Sequence, residues 1–338
     1  MRTAMDEFHL PAREDFFVPV EVIYHPDADR IRRDNSAWLA SSGLLPQADV
    51  GHFMQSHQVA ELTASIWPFG HYPNLSWGAK ILSWGYLIEE QFDSPGQTDL
   101  MAAREFIAKF TVLLNGQGEN LQPSVGPSPW ITSWQECWAH LKEGMSAAWT
   151  EQCTKNWRNY LNAYVTETKN RSTSRKMTFS EVLELRKPAN GSPMCCDFIE
   201  RFGRFELPSE IRALLLLSRY RELGVETAVF VNDIYSLPRE AALNDPHNTV
   251  LAFRDQTGHT LQESLRSILD RCNRTGRELI EVADAICGTR EFKALAVGDQ
   301  ENVRTYLRGV QHMVYGYLDW HFLTTRYQGD PHFYTVRS

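Results

Sequence analysis

The sequence predicts an all-α fold in one domain, and three observations carry that reading. Apolar residues recur at steps of three and four over long stretches, the spacing that places them on one face of a helix with 3.6 residues per turn. Strand-like patterning is confined to one short alternating run, which has no partner and cannot build a sheet alone. Gly, Pro and Asn cluster between the periodic stretches, where they punctuate helices. The length of 338 residues allows one large domain or two medium ones. No internal repeat or clean linker divides the chain, so 1–338 is read as a single domain. A mean helix of about 11–12 residues gives roughly ten to twelve helices.

In chain order, the alternating run is VPVEVIYH (18–25), preceded by Phe16 and Phe17. A strongly apolar helix then runs through ILSWGYLIEEQFDSPG and closes on Glu89, Glu90 and Asp93. The stretch NGQGENLQPSVGPSP (115–129) reads as a long Gly/Pro loop. Residues 133–165 form one continuous stripe, marked by Trp134, Trp138, Leu141, Met145, Trp149, Cys153, Trp157, Leu161 and Tyr164. KPANGSP (187–193) interrupts the next helical region. The apolar run Ala228, Val229, Phe230, Val231 leads into VNDIYSLPRE, and LNDPHN (243–248) ends that helix. Stripes through Leu261, Leu265, Ile268 and Leu279, and through Val303, Leu307, Val310 and Val314, mark helices over 260–286 and 299–323.

Composition narrows the function classes. Hydrophobic residues at 43% and charged ones at 22% exclude disordered, collagen-like and low-complexity chains. The 42 acidic and 34 basic side chains leave a net charge of -8, with no long Lys/Arg run, which argues against a nucleic-acid partner. MRTAMDEFHLPARED lacks the apolar core of a signal peptide, and no apolar run reaches the length of a membrane span. Cys137, Cys153, Cys195, Cys196, Cys272 and Cys287 show no CxxC pair and no His at zinc spacing. They read as free, mostly buried thiols of a reducing, cytoplasmic setting. The 17 Phe, 12 Tyr and 10 Trp belong mainly to the core, with an aromatic-lined pocket as the sharper alternative.

Two acidic clusters carry the candidate chemistry. Asn232, Ser236 and Glu240 are spaced i, i+4, i+8, so their oxygens line one helical face over about 12 Å, drifting about 40° per step. Amide, hydroxyl and carboxylate are hard donors suited to Mg²⁺ or Mn²⁺ rather than zinc. The same stripe also suits a solvated face. Pro238 lies inside it and removes one helical hydrogen bond, so a kink that turns Glu240 away from Asn232 is an open expectation. Glu89 and Asp93 share a face, and with Glu90 they crowd a helix C-terminus that disfavours negative charge. They therefore need cations between them, unless they are simply an acidic helix end in water.

Together these motifs resemble the class I terpene synthases. That family pairs an Asp-rich motif, D-D-x-x-D, with a second metal motif, N-D-x-x-S-x-x-x-E. The second is complete here as Asn232, Asp233, Ser236 and Glu240, with the customary basic residue at Arg239. The first departs from the pattern, with Glu89 and Glu90 in place of two Asp. WHFLTTRY is similar to the family's ending, through Trp320, Arg326 and Tyr327. HPDADRIRRDNSAW is similar to its N-terminal segment, through His25, Pro26 and Trp38. The resemblance spans about residues 25 to 327.

The resemblance implies a single helical bundle around a central cavity that binds a linear isoprenyl diphosphate and three Mg²⁺, with Mn²⁺ as a substitute. It implies that Glu89, with Asp93, holds two ions and that Asn232, Ser236 and Glu240 hold the third. Glu90 and Asp233 are secondary candidates for metal. Arg186, Arg326, Tyr327 and Arg239 would bind the diphosphate. Arg186 lies 46 residues before Asn232, the family's separation for a diphosphate-sensing Arg. Gly191 lies near the family's effector glycine, and that register would select Lys187 instead. Arg186 is preferred because a guanidinium grips phosphate bidentately. Trp320 is the leading candidate for an aromatic face over the carbocation, and Tyr86, three residues before Glu89, is a second. His25 reads as structural.

The implied reaction is ionisation and cyclisation to a terpene hydrocarbon or alcohol, with C15 favoured by chain size and C10 and C20 open. A chain-elongating prenyltransferase and a non-catalytic isoprenoid diphosphate-binding protein are the alternatives. A homodimer stays open. The net charge of -8 does not exclude this anionic substrate, because bound metal ions invert the local charge.

Overall fold

The computed structural model describes residues 8–93, 99–114, 128–173, 175–243 and 245–327. Among them there are fifteen α-helices, one 3-10 turn and no strand. The count exceeds ten to twelve for two reasons. Helices α10 (Ser209–Arg212) and α14 (Arg290–Lys293) are single turns. The stripe over 133–165 is two helices, α6 (Pro129–Lys142) and α7 (Ala147–Ser172). The connection between them holds Gly144 at φ 75°, and Ser146 caps α7 by accepting from Trp149 N at 3.2 Å. Four intervening residues are close to one helical turn, so the apolar step of three or four passes through the break unaltered.

The N-terminal third forms α1 (Ala28–Ser42), α2 (Gln47–His57), α3 (Val59–Ile66) and α4 (Asn74–Asp93), followed by α5 (Leu100–Leu114). Most of the long Gly/Pro stretch, residues 115–127, lies outside the described residues. The alternating run 18–25 is an extended strap without a strand partner. Phe16 stacks on Tyr235 at 5.9 Å, Phe17 N donates to Asn273 Oδ1 at 2.7 Å and Tyr24 donates to Asp319 at 2.5 Å. Its alternation therefore reflects one side lying on helices and one side in water. The His25 backbone N–H donates to the Ala64 carbonyl at 3.0 Å, and its ring Nδ1 accepts from Asp27 N at 3.1 Å.

Helix α8 (Phe179–Ala189) opens with a capping box between Thr178 and Glu181, which satisfies two otherwise unpaired amides. It ends at Asn190 and Gly191, and α9 (Ser192–Gly203) begins. Gly191 sits at φ 76°, a conformation that costs a residue with a Cβ about 1–2 kcal/mol. Helix α11 (Leu215–Leu243) continues through Pro238 to its end. Helices α12 (Thr249–Thr257), α13 (Leu261–Gly288) and α15 (Val297–Leu323) follow, the last two close to the ranges read from their stripes.

Helix α11 packs along α13 and α15, α3 lies between α15 and α4, and α7 packs on α5, α8 and α9. Nine of the ten Trp are buried, so the aromatic surplus is mostly core. Trp84, Trp134 and Trp157 form its densest part, with ring centroids 4.8 Å and 4.5 Å apart along the chain of contacts. All six cysteines are free, four of them buried. Among the described residues no helix is long and apolar enough to cross a membrane.

Candidate active site

Helices α3, α4, α7, α8, α9, α11 and α15 enclose two connected cavities. The first, termed the chamber, encloses about 800 Å³ including its opening, and Leu62, Ile66, Ile81, Tyr86, Trp157, Tyr160, Phe198, Met313 and Tyr317 are among the residues of its wall. The second cavity, about 560 Å³ and termed the mouth, is charged and includes Glu167, Arg171, Arg239, Glu240, Asp245 and Tyr327. Glu89, Arg186, Asn232 and Arg326 line both and so form the throat between them. A charged cavity adjoining a largely apolar one suits an amphiphile with an anionic head and a hydrocarbon tail.

On the α11 side, Asn232 and Glu240 both face the mouth, so Pro238 has not turned them apart. Arg186 donates from Nη2 to Asn232 Oδ1 at 2.5 Å and from Nε to Asp233 Oδ1 at 3.0 Å. Burial opposes this guanidinium's charge, but Asp233, Glu240 and Glu167 hold its pKa well above the ordinary range. Asp233 is fully buried and its other oxygen accepts from Thr249 N at 2.7 Å. It therefore anchors Arg186 and the start of α12. Asn248 ties the same region together, donating to Glu240 Oε2 and to the Asp233 carbonyl, both at 2.7 Å, while its own oxygen caps α12. Burial raises the Glu240 carboxyl, with Arg186 opposing and Asp233 reinforcing.

On the α4 side, Arg326 donates to Glu89 Oε2 at 3.0 Å and to Glu90 Oε1 at 3.3 Å. Arg239 also reaches Glu90, at 3.3 Å. The cations that the acidic helix end requires thus include two guanidinium groups, one brought from α11 and one from the chain after α15. Glu90 is 1% exposed, so it is a buried link between α4, α11 and the chain after α15 rather than a group open to the mouth. Glu89 keeps 30% of its side-chain surface. Asp93 closes α4, and its side chain lies outside the described residues. Arg326 also donates to Tyr327 at 2.9 Å, and Asn232 Nδ2 donates to the Tyr327 and Tyr317 hydroxyls at 3.0 and 2.9 Å. The Arg-Tyr pair thereby joins the two motifs.

Lys187, Trp320 and Arg239 stand differently toward the site. Lys187 points away from the throat into Glu184, Glu222 and Glu226, at 2.8, 2.9 and 3.0 Å, because neighbours on a helix diverge by about 100°. Arg186 is the one that faces the site. Trp320 is fully buried one layer behind the chamber wall. Its indole donates to the His57 carbonyl at 2.8 Å, and its ring stacks on Tyr86 and Tyr317 at 5.8 and 5.6 Å. Those two tyrosines, not Trp320, present their rings to the chamber. Arg239, read as a diphosphate contact, lines the mouth while engaged with Glu90. Gly191 lines the chamber at the α8–α9 break.

The residues present fit divalent cations in kind. Asn232, Glu240 and Glu89 offer hard oxygens around one mouth. Ser236 Oγ is buried and has no hydrogen-bond partner, an unusual state for a hydroxyl unless a ligand uses it. Among the described residues no three His, Cys, Asp or Glu side chains already converge as a metal site, since Arg186 and Arg326 stand between the motifs. Glu167, Arg171, Asp245, Tyr160 and Tyr317 were missed by sequence reasoning. The polar face of α7 was a usable signal, because Tyr160, Tyr164, Glu167 and Arg171 recur at helical spacing.

A family model for terpene synthase family 2, C-terminal metal binding, matches residues 80–278. Pristinol synthase of Streptomyces pristinaespiralis is 27% identical over 310 residues, covering 92% of this chain and 83% of that protein. The (-)-beta-caryophyllene synthase of Saccharothrix espanaensis, described as (2E,6E)-farnesyl diphosphate cyclizing, is 25% identical over 327 residues, covering 95% and 90%. The crystal structure of germacradien-4-ol synthase from Streptomyces citricolor superposes with a TM-score of 0.79 at 20% identity, covering 90% of this chain and 97% of that one, which shows a shared fold.

Proposed function

The chain belongs to the class I terpene synthases of family 2, and from that premise we propose that it ionises farnesyl diphosphate at its mouth and cyclises the C15 cation in its chamber. The observation that carries this reading is the throat, where Arg186, Asn232, Arg326 and Glu89 separate charged from apolar space. The C15 substrate is supported by relatives described as farnesyl diphosphate cyclizing. The family match displaces the chain-elongating alternative.

In this reading Asn232, Ser236, Glu240 and Glu89 hold divalent cations, three Mg²⁺ by analogy with the family. Bound there, such ions would supply Lewis-acid stabilisation of the leaving diphosphate. Arg186 and Arg326 contribute charge-assisted hydrogen bonds to its oxygens, and Tyr327 orients Arg326 while offering a hydroxyl. These donors are fixed before the bond breaks, so they favour the charge-separated state without reorganisation. Tyr86 and Tyr317 offer ring faces to the hydrocarbon cation, each worth about 0.5–2 kcal/mol. Leu62, Ile66, Ile81 and Phe198 exclude water and limit how the chain folds. Trp320 acts from behind by holding Tyr86 and Tyr317 in place.

Incubation with C10, C15 and C20 isoprenyl diphosphates and Mg²⁺, followed by gas chromatography–mass spectrometry, tests the reading. A cyclic C15 product is expected from farnesyl diphosphate. Asn232→Ala and Glu240→Ala should abolish it while leaving the helical circular dichroism intact. Near-normal activity of either variant would refute the metal assignment, and turnover of only the C10 or C20 substrate would refute C15.

A further inference from the structure

Helix α7 runs the depth of the cavity, and the roles assigned above leave its polar face unused. Trp157 and Tyr160 line the chamber, whereas Tyr164, Glu167 and Arg171 line the mouth. Their steps of three and four place them on one face, with about 10 Å of rise between Tyr160 and Glu167. The Tyr164 hydroxyl donates to the Tyr160 oxygen at 2.6 Å, so one hydrogen bond joins a group on the chamber wall to a group on the mouth. The Tyr160 hydroxyl lies over Gly85, donating to its carbonyl at 3.4 Å, and a Cβ at Gly85 would meet that oxygen at 3.4 Å. Glu167 is 4% exposed, and its Oε1 has no hydrogen-bond partner. A buried carboxylate oxygen without a donor is costly, and this one lies three residues beyond Tyr164 on the same helical face.

Resting on the cyclase reading above, we propose that Tyr160, Tyr164 and Glu167 form a proton exit that ends the carbocation's reaction by deprotonation. A C–H bond beside the cationic carbon breaks, its electron pair becomes the new C=C bond, and its proton goes to the Tyr160 oxygen. The Tyr160 hydroxyl proton passes to Tyr164, and the Tyr164 proton passes to Glu167 Oε1 through a water in the cavity that both side chains line. Both phenols end neutral and Glu167 ends protonated, to be re-ionised by water at the mouth. Rotation of the two hydroxyls about their C–O bonds sets this direction from the resting one. Burial holds both phenols above their ordinary range, so each carries a proton to hand on. An exit with this geometry fixes which cation is quenched, because only carbons that reach Tyr160 lose a proton.

The test uses the full chain with farnesyl diphosphate and Mg²⁺, and measures released diphosphate and hydrocarbon products together. In Tyr160→Phe, Tyr164→Phe and Glu167→Gln, olefin formed per diphosphate released should fall at least tenfold, with the same water-captured products replacing it. Because the three groups act in series, Tyr160→Phe/Tyr164→Phe should lose no more than either single variant. An unchanged ratio in Tyr164→Phe or Glu167→Gln overturns the exit even if Tyr160→Phe is altered. A wild type that makes only alcohols overturns it as well. Glu167→Gln probes the far end of the exit should Tyr164→Phe fail to fold. Absence of diphosphate release from the wild type would instead overturn the cyclase reading itself.

Discussion

Glu89 and Glu90 are neighbours in sequence and have different work. Glu90 is sealed between Arg239 and Arg326, with His57 Nε2 4.0 Å away. Burial, then the two arginines, keep that imidazole's pKa well below its ordinary value, so it stays neutral and does not add a third positive charge. Removing the Glu90 charge takes away the carboxylate that two buried guanidinium groups share, a loss of about 3–5 kcal/mol. Glu90→Gln should therefore lower the urea midpoint clearly. Glu89→Gln, at a partly exposed carboxylate, should leave the midpoint nearly unchanged and instead raise the Mg²⁺ concentration required for turnover. Equal effects of the two substitutions on stability would refute this division. The longer arm of Glu89 reaches the mouth, where it meets Arg326.

At the scale of elements, the site depends on how closely α15 approaches α3. Ser65 Oγ donates to the Gly316 carbonyl at 3.2 Å, and a Cβ at position 316 would lie 2.5 Å from the Ser65 carbonyl oxygen. Backbone atoms cannot swing aside as a flexible side chain can. Gly316→Ala must push the two helices apart, at about 1–3 kcal/mol. Since α3 supplies Leu62 and Ile66 to the chamber and α15 supplies Met313 and Tyr317, the same change should alter the product ratio as well as lower the thermal midpoint. Wild-type values for both would show that the approach is looser than described.

For the molecule as a whole, stability should depend on pH through Glu200. This carboxyl is fully buried on α9 and accepts from Leu207 N at 2.7 Å and from Arg212. Burial pushes it up to about 7 from 4.5, against the pull of Arg212. Between those values the folded chain keeps a proton that the unfolded chain has lost, so the contribution of Glu200 to stability is fully present below about 4.5 and is lost as pH rises through about 7. The span corresponds to roughly 3 kcal/mol at about 1.4 kcal/mol per pH unit. Glu200→Gln removes the titration. Its stability relative to wild type, measured by urea unfolding, should increase by about that amount between pH 4.5 and pH 7.5. A pH-independent difference would exclude Glu200 as the source.

The sequence by itself determined the helical class, the helices that carry Asn232, Ser236 and Glu240, and the acidic end of α4. These are local properties, because one helix fixes the spacing of its own side chains. It also carried the choice of Arg186, which rested on the chemistry of the guanidinium. Tertiary structure alone decided which groups stand in front of which. Trp320 and Tyr86 are equally aromatic in sequence, yet packing sets one behind the other. Glu90 and Glu89 are equally acidic, yet the arrival of Arg239 and Arg326 seals one and leaves the other at the throat. The face of α7 was written in its periodicity, but only the enclosure by six other helices gives Tyr160 an apolar chamber and Glu167 a charged mouth. Local spacing is set by bonded geometry, whereas burial and pairing are set by distant segments that no periodicity along one chain can register.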